Sequence, residues 1–252
     1  MYPNPLKQKL QRGDLVLGTS LSAPTPLVTA ILCKTGVDFI WIDTEHQAWA
    51  TETIETLPVQ MRHAGVAPMI RVAESNGALI KKACDVGGVA IMVPQISTAE
   101  EAAQAVSYVK YPPLGERGLT PTWSVAAGLD FNEVIKTAND EIVLVLQLET
   151  QAGFENLDEI KQVPGIDVIL VGPLDLSASV GTITNTGSEE VQAIMREVPR
   201  RLEGSGIVTG NTLGNGAEMQ QKIEWGFRFM NCGSAIGYGA EIVRQNLETL
   251  RG

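Results

Sequence analysis

Cysteine, histidine and long greasy runs are all scarce in this chain, and each shortage closes off a class of protein. Three cysteines occur, Cys33, Cys84 and Cys232, odd in number, scattered and without a CxxC pair. Disulfide scaffolds need paired cysteines and structural zinc needs clustered ones, so the expectation is a reducing cytoplasm with neither. No apolar run approaches the roughly 20 residues of a bilayer span. Met1 to Asp14 lacks the apolar centre expected of a signal peptide. Basic runs are missing as well. The 19 Lys and Arg stand against 29 Asp and Glu, a formal charge of −10, so neither nucleic acid nor an anionic membrane is an expected partner. An acidic protein that handles an acidic metabolite needs local positive charge, from an arginine or a metal. No GxGxxG follows the first strand-like run, which counts against a dinucleotide fold.

What is present is a regular alternation. Apolar residues make up 44% of the 252 and charged residues 19%, ample for a core. The length suits a single domain, residues 1–252, since one eight-fold β/α barrel takes about 250 residues. Short apolar runs bounded by turn residues read as strands covered on both faces. The first four are Leu15–Gly18, Asp38–Asp43, Pro68–Val72 and Ala90–Pro94; the last four are Ile142–Leu148, Val168–Gly172, Ile207–Leu213 and Phe227–Cys232. Helical stretches fall between them, over Pro26–Lys34, Thr51–Ala64, Gly77–Val86, a capping box opening at Thr98, and Ser188–Glu203 with a kink at Pro199. A last helix covers Gly239–Leu250. Lys110–Gly128 is expected to be a long irregular insert, rich in Pro and Gly, of the kind that usually carries function. Eight alternations at this length favour a closed α/β architecture, a (β/α)8 TIM barrel.

In such a barrel, polar residues just past each strand share one face. Here they are Ser20, Asp43 to His46, Arg71, Gln95, Gln147, Glu149, Asp175 and Asn211. Glu149 and Asp175 end two neighbouring strands, and two carboxylates meeting in a crevice need a cation, a proton or an arginine between them. With no His or Cys beside them, a hard divalent ion is the natural guest. The plainer reading makes Glu149 a charge at a helix start and Asp175 an N-cap. Arg71 interrupts a buried strand, where a permanent charge demands anionic partners. It serves either a substrate oxyanion or a salt bridge to Glu149 or Glu45. Imidazoles titrate at about 6.5, so His46 suits proton transfer, or is an ordinary loop histidine. His63 is read as surface.

The stretches DFIWIDTEH (38–46), PMIRV (68–72), YPPLGERG (111–118), LQLET (146–150) and VGPLDLSASVG (171–181) together resemble the HpcH/HpaI aldolase family, the class II metal-dependent pyruvate aldolases, with citrate lyase β subunits as more distant kin. The likeness runs from Leu6 to the final helix. It implies a barrel whose last helix is swapped between subunits of a homo-hexamer, a trimer of dimers. It implies that Glu149 and Asp175 bind Mg²⁺, Mn²⁺ or Co²⁺ and that a 2-keto acid, pyruvate or oxaloacetate, chelates the ion. Gln147, Gly172, Pro173 and Leu174 match the rest of the keto-acid pocket, with Arg71 on the enolate oxygen and Ser124 and Leu213 as further substrate contacts. His46 matches the family's base, acting through a water on the metal and paired with the aspartate that aligns with Asp85. Asp85 lies eight residues into the helix that starts at Gly77, about 12 Å down its axis, so a His46–Asp85 contact is expected to cross a subunit interface. The implied reaction cleaves or forms a 4-hydroxy-2-keto acid, with an aldehyde or another electrophile as second partner. The chain departs from the pattern at Ser20, at Leu119 to Ser124 and at Asn231 to Ala235, all on the electrophile side. An enolate-using synthase, such as citrate- or macrophomate-forming members, or an oxaloacetate decarboxylase therefore stays open, as does a barrel that binds a keto acid without turnover.

Overall fold

Alternation along each strand decides the architecture. The eight strands are β1 (Val16–Ser20), β2 (Phe39–Asp43), β3 (Ala67–Arg71), β4 (Ala90–Val93), β5 (Val143–Leu148), β6 (Val168–Val171), β7 (Val208–Thr212) and β8 (Phe229–Ser234). All neighbours run parallel in chain order, and β8 pairs back onto β1 to close the barrel. The computed structural model describes residues 4–212 and 216–251.

Successive side chains point to opposite faces, and both faces are buried. Phe39, Trp41, Ala67, Met69, Ala90, Met92, Val143 and Val145 fill the barrel interior. Their neighbours Ile40, Ile42, Ile70, Ile91, Leu144 and Leu146 belong to the second core, between strands and helices. This is why the strands read as continuous apolar runs. Gly18 is required inside: a Cβ there would lie 2.3 Å from the Phe39 ring, which stacks on Phe229 with centroids 4.4 Å apart.

The helix Pro5–Arg12 has no counterpart among the expected elements. Its Leu6 and Leu10 join the interior core, while Lys7 reaches Asp167 and Lys9 reaches Asp38, each at 2.5 Å. Both aspartates lie just before a strand start, so this helix closes the barrel at the N-terminal ends of the strands. The C-terminal ends are left for a site.

Other elements differ from expectation for local reasons. Thr51–Ala64 forms two helices, Thr51–Ile54 and Leu57–His63, because Pro58 suits the first turn of a new helix better than the interior of a long one. The insert is not irregular throughout: Thr122–Ala126 is helical, and its Trp123 is buried with the Arg62 guanidinium 3.6 Å from the ring centroid. A further helix, Phe131–Glu141, is capped by Asp130, whose carboxylate accepts from the Glu133 N–H. Pro199 sits near the end of the helix Glu189–Arg201. The last helix starts early, Ala235–Arg251, and buries none of its residues. Among the described residues no helix is long and apolar enough to cross a membrane.

Candidate active site

Two strand ends build the charged side of the site. Asp43 and Arg71 are register partners on β2 and β3. Arg71 grips Asp43 with both prongs of its guanidinium, Nε to Oδ1 at 3.0 Å and Nη2 to Oδ2 at 2.7 Å. Its Nη1 lies 2.7 Å from Glu45 Oε2 and donates to Gln147 Oε1 at 3.4 Å. The Trp41 ring lies below, 4.8 Å from the guanidinium carbon. So Arg71, 5% exposed, pairs with Asp43 first and Glu45 second, and reaches Glu149 only through Gln147. Asp43 also accepts the N–H groups of Glu45 and His46, which sets the turn after β2. Burial works to raise the Asp43 carboxyl, but Arg71 and these N–H groups outweigh it and hold it below the ordinary value. Burial pushes Glu45 up, and Arg71 does not fully offset it.

Glu149, one residue past β5, is 3% exposed. Its Oε1 accepts the Gln95 N–H at 2.8 Å, and its Oε2 accepts from Gln147 Nε2. Gln95 makes its bond from a left-handed backbone, φ 57°, the kind of local strain found where surroundings fix a functional geometry. Burial, with the charges of Asp175 and Glu45 adding to it against the Gln95 N–H and Arg71, pushes Glu149 up to about 7. A Cβ on Gly172 would lie 2.9 Å from Glu149 Oε2 and 3.0 Å from Gln147 Nε2. The absence of a side chain there leaves a cradle beside the acid.

The plainer readings of the two acids do not hold locally. The helix Gln151–Glu155 is capped by Thr150, not served by Glu149. The helix Pro173–Ser179 has Gly172 at its N-cap, with Asp175 exposed in its first turn.

A cavity of about 470 Å³ opens at this end of the barrel, with Arg71, Gln147, Gly172, Pro173, Leu174, Asp175 and His46 in its wall. His46 stands at the edge, its side chain 60% exposed and its Nε2 3.8 Å from Glu45 Oε2. Opposite the charges is a wall of neutral groups from β7, β8 and β1, among them Ser20, Ser22, Thr212, Asn231 and Ser234.

Two expected residues, Asp85 and Ser124, are not among those that line this cavity. Asp85 pairs with Arg117 at 3.0 Å, and among the described residues it makes no contact with His46 of the same chain. Ser124 is fully buried in the short helix of the insert, its hydroxyl donated to the Pro121 carbonyl at 2.8 Å. Leu213 lies outside the described residues. Asn211, grouped with the site residues from its place at a strand end, points outward: its Nδ2 donates to the Val171 carbonyl and contacts Met195 Sδ. Thr212 faces inward instead, as the two-residue period demands. Gln95, expected here from its place after β4, takes part through its main-chain amide, and Asn231, marked in the sequence as a departure, lines the cavity.

The donor set is oxygen-rich. Among the described residues no cluster of three or more His, Cys, Asp or Glu is placed to hold a metal. Two oxygen-donor acids, Glu149 and Asp175, with the cradle at Gly172, have the chemistry to suit a hard divalent ion, which would need its remaining ligands from elsewhere.

Known proteins resemble the chain over most of its length and in overall fold. The HpcH/HpaI aldolase/citrate lyase family profile matches residues 18–238. A 2-keto-3-deoxy-L-rhamnonate aldolase of Salmonella gallinarum is 36% identical over 237 residues, which cover 92% of this chain and 88% of that protein. The crystal structure of an HpcH/HpaI aldolase from Desulfitobacterium hafniense superposes with a TM-score of 0.91 at 29% identity, covering 98% of this chain and 96% of that one. The citrate synthase SbnG superposes with a TM-score of 0.87 at 28% identity, covering 98% and 97%.

Proposed function

Because the chain belongs to the HpcH/HpaI aldolase/citrate lyase family, we propose that it is a carbon–carbon lyase that cleaves or forms a 4-hydroxy-2-keto acid by way of pyruvate, with a divalent ion (Mg²⁺, Mn²⁺ or Co²⁺) held by Glu149 and Asp175. The observation that carries this reading is Glu149 itself. A buried carboxylate pushed up to about 7, fixed by the Gln95 amide and Gln147 and facing the space left by Gly172, is costly to the fold unless it serves a ligand.

The ion, when bound, supplies a Lewis acid for the charge that develops on the keto oxygen. The residues of this chain do the rest. Asp43 locks the Arg71 fork, and Glu45 and Gln147 take Nη1. One N–H of Nη2 is then left to donate to the enolate oxygen, already oriented before substrate arrives. Gln147 links guanidinium and carboxylate, so both stay in register with the bound keto acid. His46, at the cavity edge, takes the proton of the 4-hydroxyl in cleavage and returns it in condensation.

The assembly belongs to the same reading: a cytoplasmic homo-hexamer, a trimer of dimers, with the C-terminal helix exchanged between subunits. The full exposure of that helix supports it, and in this reading Asp85, which pairs with Arg117 in its own chain, serves the His46 of a partner subunit.

A second reading, an enolate-using synthase or an oxaloacetate decarboxylase, draws support from the similarity to the citrate synthase SbnG. Pyruvate release separates the two. The first reading expects purified enzyme with Mn²⁺ to liberate pyruvate from 2-keto-3-deoxy sugar acids, followed with lactate dehydrogenase. Glu149→Gln should lose calorimetric Mn²⁺ binding while its circular dichroism stays native. Undiminished activity after exhaustive chelation would remove the metal from the account.

A further inference from the structure

The wall opposite the acids has its own hydrogen-bond logic. Asn231 of β8 is the register partner of Thr212 on β7 and of Gly18 on β1. Its Nδ2 donates one hydrogen to Ser20 Oγ at 2.9 Å and the other to Thr212 Oγ1 at 3.1 Å, while its Oδ1 accepts the Gly233 N–H at 3.3 Å. The amide is therefore held one way round, and both hydroxyls are cast as acceptors. Each keeps its own O–H hydrogen. Among the described residues neither hydrogen has an acceptor, and both hydroxyls line the cavity.

Charge narrows what those donors can meet. Four carboxylates, Asp43, Glu45, Glu149 and Asp175, share this end of the barrel with one guanidinium, Arg71, and its charge is paired with two of them. Among the described lining residues Arg71 is the one permanent cation. A divalent ion offsets two of the charges, and the carboxylate of the keto acid restores one. A second carboxylate, on the electrophile, would enter a field already negative and find no cation on the hydroxyl side.

We infer that Asn231 is a positioning residue that turns the Ser20 and Thr212 hydroxyls toward the electrophile, so that this wall selects a neutral, hydroxyl-bearing aldehyde, of the kind 2-keto-3-deoxy sugar acids release, over an apolar or a carboxylate-bearing one. This rests on the enolate reading above and names the class of its second substrate.

The test separates the two claims. Native enzyme with Mg²⁺ and pyruvate is first placed in D₂O, and exchange of the pyruvate methyl hydrogens is followed by proton NMR. Exchange shows the enolate half at work with no electrophile present. Condensation is then compared for glycolaldehyde and glyceraldehyde, for propionaldehyde, which lacks the hydroxyl, and for succinic semialdehyde, which carries a carboxylate. We expect kcat/KM for the hydroxyaldehydes to exceed both others by about tenfold or more. Thr212→Val and Ser20→Ala should each lower the glyceraldehyde-to-propionaldehyde ratio by about fivefold, the worth of one hydrogen bond. Asn231→Asp, which can only accept, should lower it by more, since both hydroxyls would then turn to the carboxylate. Exchange together with a preference for the semialdehyde, or a ratio that all three variants leave unchanged, would overturn the inference alone. Absence of exchange would overturn the enolate reading and this inference with it.

Discussion

At the scale of single residues, Glu149 sets the clearest expectation because its proton is shared between fold and function. In the unfolded chain it ionises near 4.5, and in the fold near about 7. Between those values the folded protein holds the extra proton, so metal-free stability falls as pH rises through that window, by up to about 3 kcal/mol. A divalent ion needs the ionised carboxylate, so its binding should release a proton below pH 7, tighten as pH rises and level off above. Calorimetric titration of Mn²⁺ at pH 6 in two buffers of different ionisation enthalpy reads the released proton directly. Equal apparent enthalpies would mean that Glu149 is not the ligand. Glu149→Gln should also flatten the fall in metal-free melting temperature between pH 5 and 8. How far such residues can be read in sequence depends on what marks them. Glu149, Asp175 and Arg71 stand out because each breaks or ends an apolar run. The partner that fixes Arg71 is another matter: Asp43 lies 28 residues away and meets it only through strand register. Gln95 contributes a main-chain N–H through its φ, which no side-chain pattern encodes. Asp85 and Ser124 are expected at the site from the resemblance, yet Asp85 pairs with Arg117 of the insert and Ser124 is buried within it, and neither lines the cavity of its own chain.

At the scale of elements, the barrel depends on small residues where large ones must pass. Gly18→Ala places a methyl 2.3 Å from the Phe39 ring, which is itself trapped against Phe229. Neither ring can yield without disturbing the interior, so overpacking should cost about 1–3 kcal/mol. A guanidinium unfolding series should show it as a shift in midpoint at constant slope. A companion Phe39→Leu should restore part of the loss; no restoration would place the strain elsewhere. The strands were legible because burial on both faces writes itself as uninterrupted apolar runs. The helices were less so. Pro5–Arg12 shows only Leu6 and Leu10 to the core, too short a stripe to announce a helix, although it plugs the barrel. Thr122–Ala126 hides among prolines and glycines, and what holds it is Trp123 over Arg62, a tertiary contact. Pro58 divides a segment whose apolar spacing alone reads as one helix.

At the scale of the whole molecule, the last helix exposes the apolar face that the proposed exchange between subunits would cover. Ile236, Ala240, Val243, Leu247 and Leu250 recur at alternating steps of four and three, one continuous stripe along Ala235–Arg251. The stripe is exposed in the single chain, Ile236 at 53%, Val243 at 58% and Leu250 at 83%, far more apolar surface than a solitary helix retains without a partner. Val243→Glu with Leu247→Glu should reduce the mass seen by light scattering to the 27.0 kDa of one chain. The barrel's circular dichroism should persist. On the proposed assembly activity should fall with the mass, because a lone chain would offer Asp85 no neighbouring His46. Mixing subunits tests that last step without disturbing the interface. His46→Ala and Asp85→Ala proteins, each inactive alone, are unfolded together and reassembled in equal amounts. If the pair is completed across a two-fold interface, about a quarter of the sites combine an intact histidine with a neighbour's intact aspartate, and about that share of native activity should return. Recovery of no activity from assembled mixtures would place Asp85 outside the site, and its bond to Arg117 would then be its whole role.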